Sequence, residues 1–147
     1  LANWAGPHLL TRESHRTLTN KELRDLSDEK LIDIGGHTVN HPILSKIPFE
    51  DQIYEIQEGR NELQRIIDKP ISLFAYPYGY QRSYTDETIR ILEENNFKCA
   101  VTTTEGAVLL NSNMFQLPRK TIRECTIEQF LEKLTHHTSE VIFNRGI

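Results

Sequence analysis

The clearest pattern of apolar and polar positions runs from Phe49 to Ile67. Phe49, Ile53, Ile56, Leu63, Ile66 and Ile67 recur at steps of three and four, with charged and amide residues on the other face. That period predicts an amphipathic helix. Pro48 opens it, and Pro70 disfavours helix in the residue before it, so the helix should stop near Asp68. Three shorter apolar runs, at 31–36, 71–75 and 97–103, read as strands. Between the last two, Thr85 can cap a second helix that turns Ile89 and Leu92 inward and ends at Asn95-Asn96.

The ends of the chain are less regular. Thr19 and Glu22 form a capping-box pattern for a short helix using Leu23 and Leu26. Thr126 and Gln129 form another, ahead of a final helix at 126–138 with Ile127, Phe130, Leu131 and Leu134 on one face. Gly106 marks a turn, and the run from Leu117 to Ile122 reads as a loop leading into a last short strand. Residues 1–18 show no period; Trp4, Pro7, Leu9 and Leu10 suggest a loop that packs against something. Strands thus alternate with helices, the signature of βα units around a parallel sheet. The expected class is α/β, in one domain, with too few strands for a closed barrel.

Composition narrows the partners. The chain has 147 residues, 26% of them charged, and a net charge of −4. That argues against a nucleic acid bound through its phosphates, which needs a basic surface. No apolar run approaches the length of a membrane span. Leu1–Leu10 lacks the basic start and apolar core of a signal peptide, although a precursor can have lost one. Cys99 sits in an apolar run and reads as a small buried hydrophobe; it forms no zinc-type spacing with Cys125.

Two segments carry candidate chemistry. In Gly35-Gly36-His37-Thr38-Val39-Asn40-His41-Pro42, two imidazoles follow a strand-like run and a glycine pair. Glycine permits a sharp turn or a close approach. In a helical turn, positions i and i+4 share a face, so His37 and His41 could point at one metal ion. Such spacing also arises among solvated or hydrogen-bonded histidines. The second segment, Phe74-Ala75-Tyr76-Pro77-Tyr78-Gly79-Tyr80, also ends a strand-like run. A rigid aromatic turn suits a sugar ring and can expose a backbone N–H as an oxyanion donor. It equally reads as a Pro-Gly turn with aromatics filling the edge of a core.

In this order and spacing the two segments resemble the polysaccharide deacetylase family, the NodB homology domain of carbohydrate esterase family 4. Its histidine motif, His-Ser/Thr-x-x-His, is matched by His37, Thr38 and His41, and its later Arg-x-Pro-Tyr/Phe-Gly motif by Pro77, Tyr78 and Gly79. The resemblance spans about residues 18–123. It implies a distorted (β/α) barrel, a divalent metal (zinc above all) held by one aspartate and two histidines, and hydrolysis of N- or O-acetyl groups on carbohydrates. It further implies that His37 and His41 are metal ligands, that Thr38 and Gly79 support them, and that the Tyr78 N–H helps hold an oxyanion. Tyr76, Pro77, Tyr78 and Arg119 would meet the acetylated carbohydrate, with Arg119 orienting a carboxylate or making a surface ion pair. Relatives work at bacterial cell surfaces, in the periplasm and occasionally inside cells.

The chain departs from the pattern at its front. Ala75 stands where the motif has arginine, and there is no Asp-Asp pair to supply the metal-binding aspartate and the general base. Before His37 only Asp25, Asp28 and Asp33 occur. The first two fall on a surface helix and its end. Asp33 lies within the run at 31–36 and does not match. The general-acid histidine element is also not evident; His136-His137 reads as part of a helix. The expectation is therefore a partial barrel lacking its first strands and the third ligand, inactive alone. It would be open at the 31–36 edge, hence dimeric or completed by an N-terminal segment. The competing expectation is a non-catalytic carbohydrate-binding relative.

Overall fold

The computed structural model describes residues 16–134. The expectations for Trp4, Leu9, Leu10, His136 and His137 lie outside them. Helix α1 (Asn20–Ser27) opens with the expected capping box. The Thr19 N–H donates to Glu22 Oε2 at 2.8 Å, and the Glu22 N–H donates to Thr19 Oγ1 at 3.3 Å. Arg16 adds a two-pronged contact to the same carboxylate. Its side-chain hydrogen bond, followed by those from Thr19, holds the Glu22 carboxyl well below the usual carboxylate range. Asp25 lies in α1 and Asp28 caps its end.

Helix α2 (Phe49–Ile67) is the long helix of the pattern, with Pro48 as N-cap and Glu50 and Asp51 in its first turn. Asp68 ends it in the left-handed conformation, φ 55°, before Lys69-Pro70. Ile56 and Ile67 are buried and Ile53, Leu63 and Ile66 pack beside them, whereas Phe49 is exposed. Helix α3 (Asp86–Glu94) is capped by Thr85 as expected and stops at Asn95. The buried Thr88 hydroxyl donates to Gln52 Oε1 at 2.6 Å and ties α3 to α2.

Strands β1 (Leu73–Ala75), β2 (Cys99–Glu105) and β3 (Leu117–Arg119) form a parallel sheet in that order. Phe74 pairs with Ala100 in the β1–β2 register. Below the sheet Phe74 meets Tyr76 and Phe97 edge-on, and Tyr76 stacks on Tyr84 at 3.9 Å. Leu44, Ile56, Ile71, Ile91, Leu92 and Ala100 complete the core. Cys99 is half-buried. The expected mixed α/β class with a parallel sheet is the one observed.

The strand expected at 31–36 does not form. Only Gly36 bridges to Phe74, in parallel, and Leu31 is 99% exposed. The Gly36 N–H donates to the Leu73 carbonyl at 2.8 Å, and the Ala75 N–H donates to the Gly36 carbonyl at 2.9 Å. Leu31–Ile34 forms no ladder; Leu31 and Ile32 are exposed, and Ile34 alone of its apolar side chains packs against the core. The final helix starts behind its expected cap, with reciprocal Thr126 and Gln129 bonds, and is helical at 127–134. Its apolar face is not a core face: Ile127, Phe130, Leu131 and Leu134 are all exposed. Among the described residues no helix is long and apolar enough to cross a membrane.

Candidate metal and carbohydrate site

The parallel bridge at Gly36 fixes where the chemistry stands. His37 leaves Gly36 and Tyr76 leaves β1 at the same carboxyl edge, the edge where α/β sheets place ligands. The approach is close: a Cβ on Gly36 would stand 3.2 Å from the Phe74 ring. A His37 ring nitrogen then reaches the backbone of β1. Its Nδ1 lies 2.7 Å from the Ala75 carbonyl, an acceptor, so Nδ1–H donates and the neutral ring keeps its free lone pair on Nε2.

His41 comes alongside by a different route from the one its spacing suggested. Residues 37–41 are a bend, not a helical turn. Thr38 and His41 both adopt left-handed backbone, φ 65° and 56°. Each such residue costs about 1–2 kcal/mol, so the loop must be held by its neighbours. The Thr38 hydroxyl accepts from the His41 N–H at 3.1 Å, within the same loop. The outcome is two exposed imidazoles with ring centroids 4.8 Å apart, edge to face.

What holds the loop from below was not seen in the sequence. Glu55, 7% exposed on α2, accepts from the Val39 N–H at 2.9 Å, the Asn40 N–H at 2.8 Å and Asn40 Nδ2 at 2.7 Å. One turn on, Gly59 lets α2 press against Thr38, where a Cβ would stand 3.1 Å from the Thr38 carbonyl carbon. A sequence signal did exist. Gln52, Glu55 and Gly59 interrupt the otherwise apolar inward face of this amphipathic helix, and a buried polar residue needs partners.

The aromatic turn stands opposite. The Gly79 N–H donates to the Pro77 carbonyl at 2.7 Å with Tyr78 at φ 62°, the bond and the sign of φ of the rare classic γ-turn. Gly79 is itself at φ 67°, and its carbonyl accepts from the Thr103 N–H at 2.8 Å. The Thr103 hydroxyl donates to the Tyr78 carbonyl at 2.9 Å. Among the described residues the Tyr78 N–H has no hydrogen-bond partner. Its ring, 50% exposed, meets His41 at 4.8 Å, and Tyr80 follows at 6.5 Å.

Two expected substrate contacts, Tyr76 and Pro77, are buried. Tyr76 is a core residue, 1% exposed, with its hydroxyl donating to the Phe115 carbonyl at 2.9 Å. Burial pushes its phenol far above the ordinary range, with nearby Tyr84 and Glu93 adding to the shift. No face of it is left for a sugar, because inward and outward positions alternate beyond β1. Arg119 donates through Nε to the Thr102 carbonyl at 2.5 Å and makes no ion pair among the described residues. Pro77 is buried beneath the turn. Among the described residues no three His, Cys, Asp or Glu side chains cluster as a metal cage.

A model of the polysaccharide deacetylase family matches residues 3–100. The chain belongs to this family. The polysaccharide deacetylase YxkH of Bacillus subtilis (strain 168) is 24% identical over 102 residues, covering 69% of this chain and 35% of that protein. Among solved structures, the deacetylase PplD of Streptococcus pyogenes, in complex with acetate, aligns with TM-score 0.73 and 28% identity. That alignment covers 82% of this chain and 52% of PplD. A polysaccharide deacetylase from Bacillus cereus aligns with TM-score 0.71 at 22% identity over 83% of this chain and 38% of its own, a likeness of fold. The chain therefore spans between about a third and a half of the length of these relatives.

Proposed function

We propose that the paired histidines belong to the site of a divalent-metal-dependent hydrolase that removes N- or O-acetyl groups from a carbohydrate. The observation that carries this reading is the His37–His41 pair, 4.8 Å between rings, with His37 Nδ1 tied to a carbonyl so that Nε2 faces away. A ligand histidine bonded through its other nitrogen to a carbonyl is the usual arrangement at metal sites. Exposed imidazoles suit Zn2+, which takes about three protein ligands at catalytic sites. Here two are at hand, and a third ligand is not among the described neighbours.

Bound there, the ion supplies Lewis acidity to an acyl carbonyl and to water. The protein's own groups do the rest. His37 and His41 hold the ion, and the Ala75 carbonyl fixes the His37 tautomer. The Tyr78 N–H, without a partner among the described residues, is available to an oxyanion as it develops. The exposed Tyr78 ring beside His41 offers a flat apolar surface to a sugar. An aspartate general base, as the family pattern has it, would come from outside the described residues. Ala75, where the family motif has arginine, favours one second reading, a non-catalytic carbohydrate-binding relative.

The test is acetate release from an acetylated chitooligosaccharide, by this chain and by the complete reading frame that encodes it, before and after chelation. The proposal expects little release by this chain and chelator-sensitive release by the complete product. Binding of the sugar without release by either supports the non-catalytic reading. Robust release by this chain, or release indifferent to chelation, contradicts the proposal.

A further inference from the structure

We infer that Glu55 is a positioning residue for the metal site, fixing His41 relative to His37 through the backbone between them. The inference rests on the metal reading of the two histidines. His37 is anchored to β1 through the Ala75 carbonyl. Among the described residues His41 has no such anchor: its backbone N–H bonds to Thr38, inside the same loop, and its ring makes aromatic contacts with His37 and Tyr78. The position of His41 therefore depends on where Thr38, Val39 and Asn40 are held. Each of those three is gripped by α2, Thr38 by the flat Gly59 surface and the other two by the Glu55 carboxylate.

Glu55 is suited to this and to little else. It is buried, makes no ion pair among the described residues, and spends both oxygens on donors of this one loop. A buried carboxylate is tolerated only when its oxygens are satisfied, so loop and helix constrain each other. The loop also contains two left-handed residues that relax once released. Letting go of Val39 and Asn40 frees the His41 side of the pair while His37 stays tied to β1.

The experiment compares Glu55→Gln with Glu55→Met, side chains of similar length. The glutamine oxygen can accept from the Val39 and Asn40 N–H groups, and the Asn40 amide can turn over to accept from its nitrogen. Methionine offers no comparable acceptor. Zn2+ is titrated into the folded chain while the His37 and His41 imidazole resonances are followed, and amide exchange at Val39 and Asn40 is measured without metal. Glu55→Met should weaken Zn2+ binding about tenfold or more, as loss of an outer-shell partner does, with Glu55→Gln within about threefold of the parent. Exchange at Val39 and Asn40 should accelerate in Glu55→Met only. Unchanged Zn2+ affinity in a folded Glu55→Met chain overturns the inference, as does equal loss in both variants, which would assign the effect to charge. Should Glu55→Met fail to fold, Asn40→Ala, which removes one of the three bonds, should weaken Zn2+ severalfold; no change there also overturns it. If the parent takes up no Zn2+ at either histidine, the metal reading itself fails, while the exchange arm still decides whether Glu55 holds the loop.

Discussion

Gly79→Ala is the substitution whose cost the structure defines best. Gly79 sits at φ 67°, where an L side chain costs about 1–2 kcal/mol. The added Cβ would stand 2.8 Å from the Thr103 nitrogen and 2.9 Å from its Cγ2. Backbone cannot swing aside as a side-chain tip can, and this backbone is tied to Gly79 by a 2.8 Å hydrogen bond. Relieving the contact means stretching that bond or tilting the turn, an overpacking cost of about 1–3 kcal/mol. Together the two terms give a loss of roughly 2–5 kcal/mol. Urea unfolding of parent and variant measures it from the midpoints at a common slope. Gly106→Ala is the control: its Cβ meets only the Pro118 ring, at 3.2 Å, and a loss under about 1 kcal/mol is expected. The variant should also disturb the Tyr78–His41 ring contact, visible as a shifted His41 resonance. A loss below about 1 kcal/mol for Gly79→Ala, with His41 unmoved, would refute the close approach of the turn to β2.

Further expectations follow from the same contacts. Tyr76→Phe should cost about 1–3 kcal/mol by orphaning the Phe115 carbonyl, read by denaturation, and leave sugar binding unchanged; a selective loss of sugar affinity would restore the substrate role. His37→Ala, which loses the bond to the Ala75 carbonyl, and His41→Ala, at left-handed backbone, should each cost no more than about 1.5 kcal/mol yet each abolish shared Zn2+ uptake, as calorimetric titration would record. Because the Glu22 carboxyl is held low, the stability it lends α1 is complete above the ordinary glutamate range near 4 and is lost only as pH falls well below it. Carbon-detected titration of Glu22 should thus find it still ionised when exposed glutamates are half protonated. The apolar groups exposed at Leu31 and along 127–134 should make the chain self-associate, and light scattering showing a monomer over a tenfold concentration range would count against that.

Where local rules decide, the sequence was legible. The caps at Thr19, Thr85 and Thr126 form because a hydroxyl one carbon off the backbone reaches the free N–H groups of the helix's first turn. The long helix begins at Pro48 and ends at Asp68 for the reasons its prolines supply. The stretch at 31–36 misled because its apolar content matches a strand while strandhood depends on neighbours, and only Gly36 has one. The histidine pair was legible as a pair, but its helical rationale was not the operative one: two left-handed residues and a carboxylate from α2 bring the rings together. Glu55 escaped notice because a glutamate on a charged helix looks solvated until the loop above it is placed. Tyr76 was assigned to the wrong side because three tyrosines around a proline give no sign of which one the core takes.

The central claim is that His37 and His41 share one divalent ion. Crystals of the chain soaked in Zn2+, with anomalous differences measured at the zinc edge, test it most directly. The account predicts a single peak about 2.0–2.1 Å from one ring nitrogen of each histidine, with His37 Nδ1 still on the Ala75 carbonyl. A peak on one histidine alone, or none at saturating Zn2+, would contradict it.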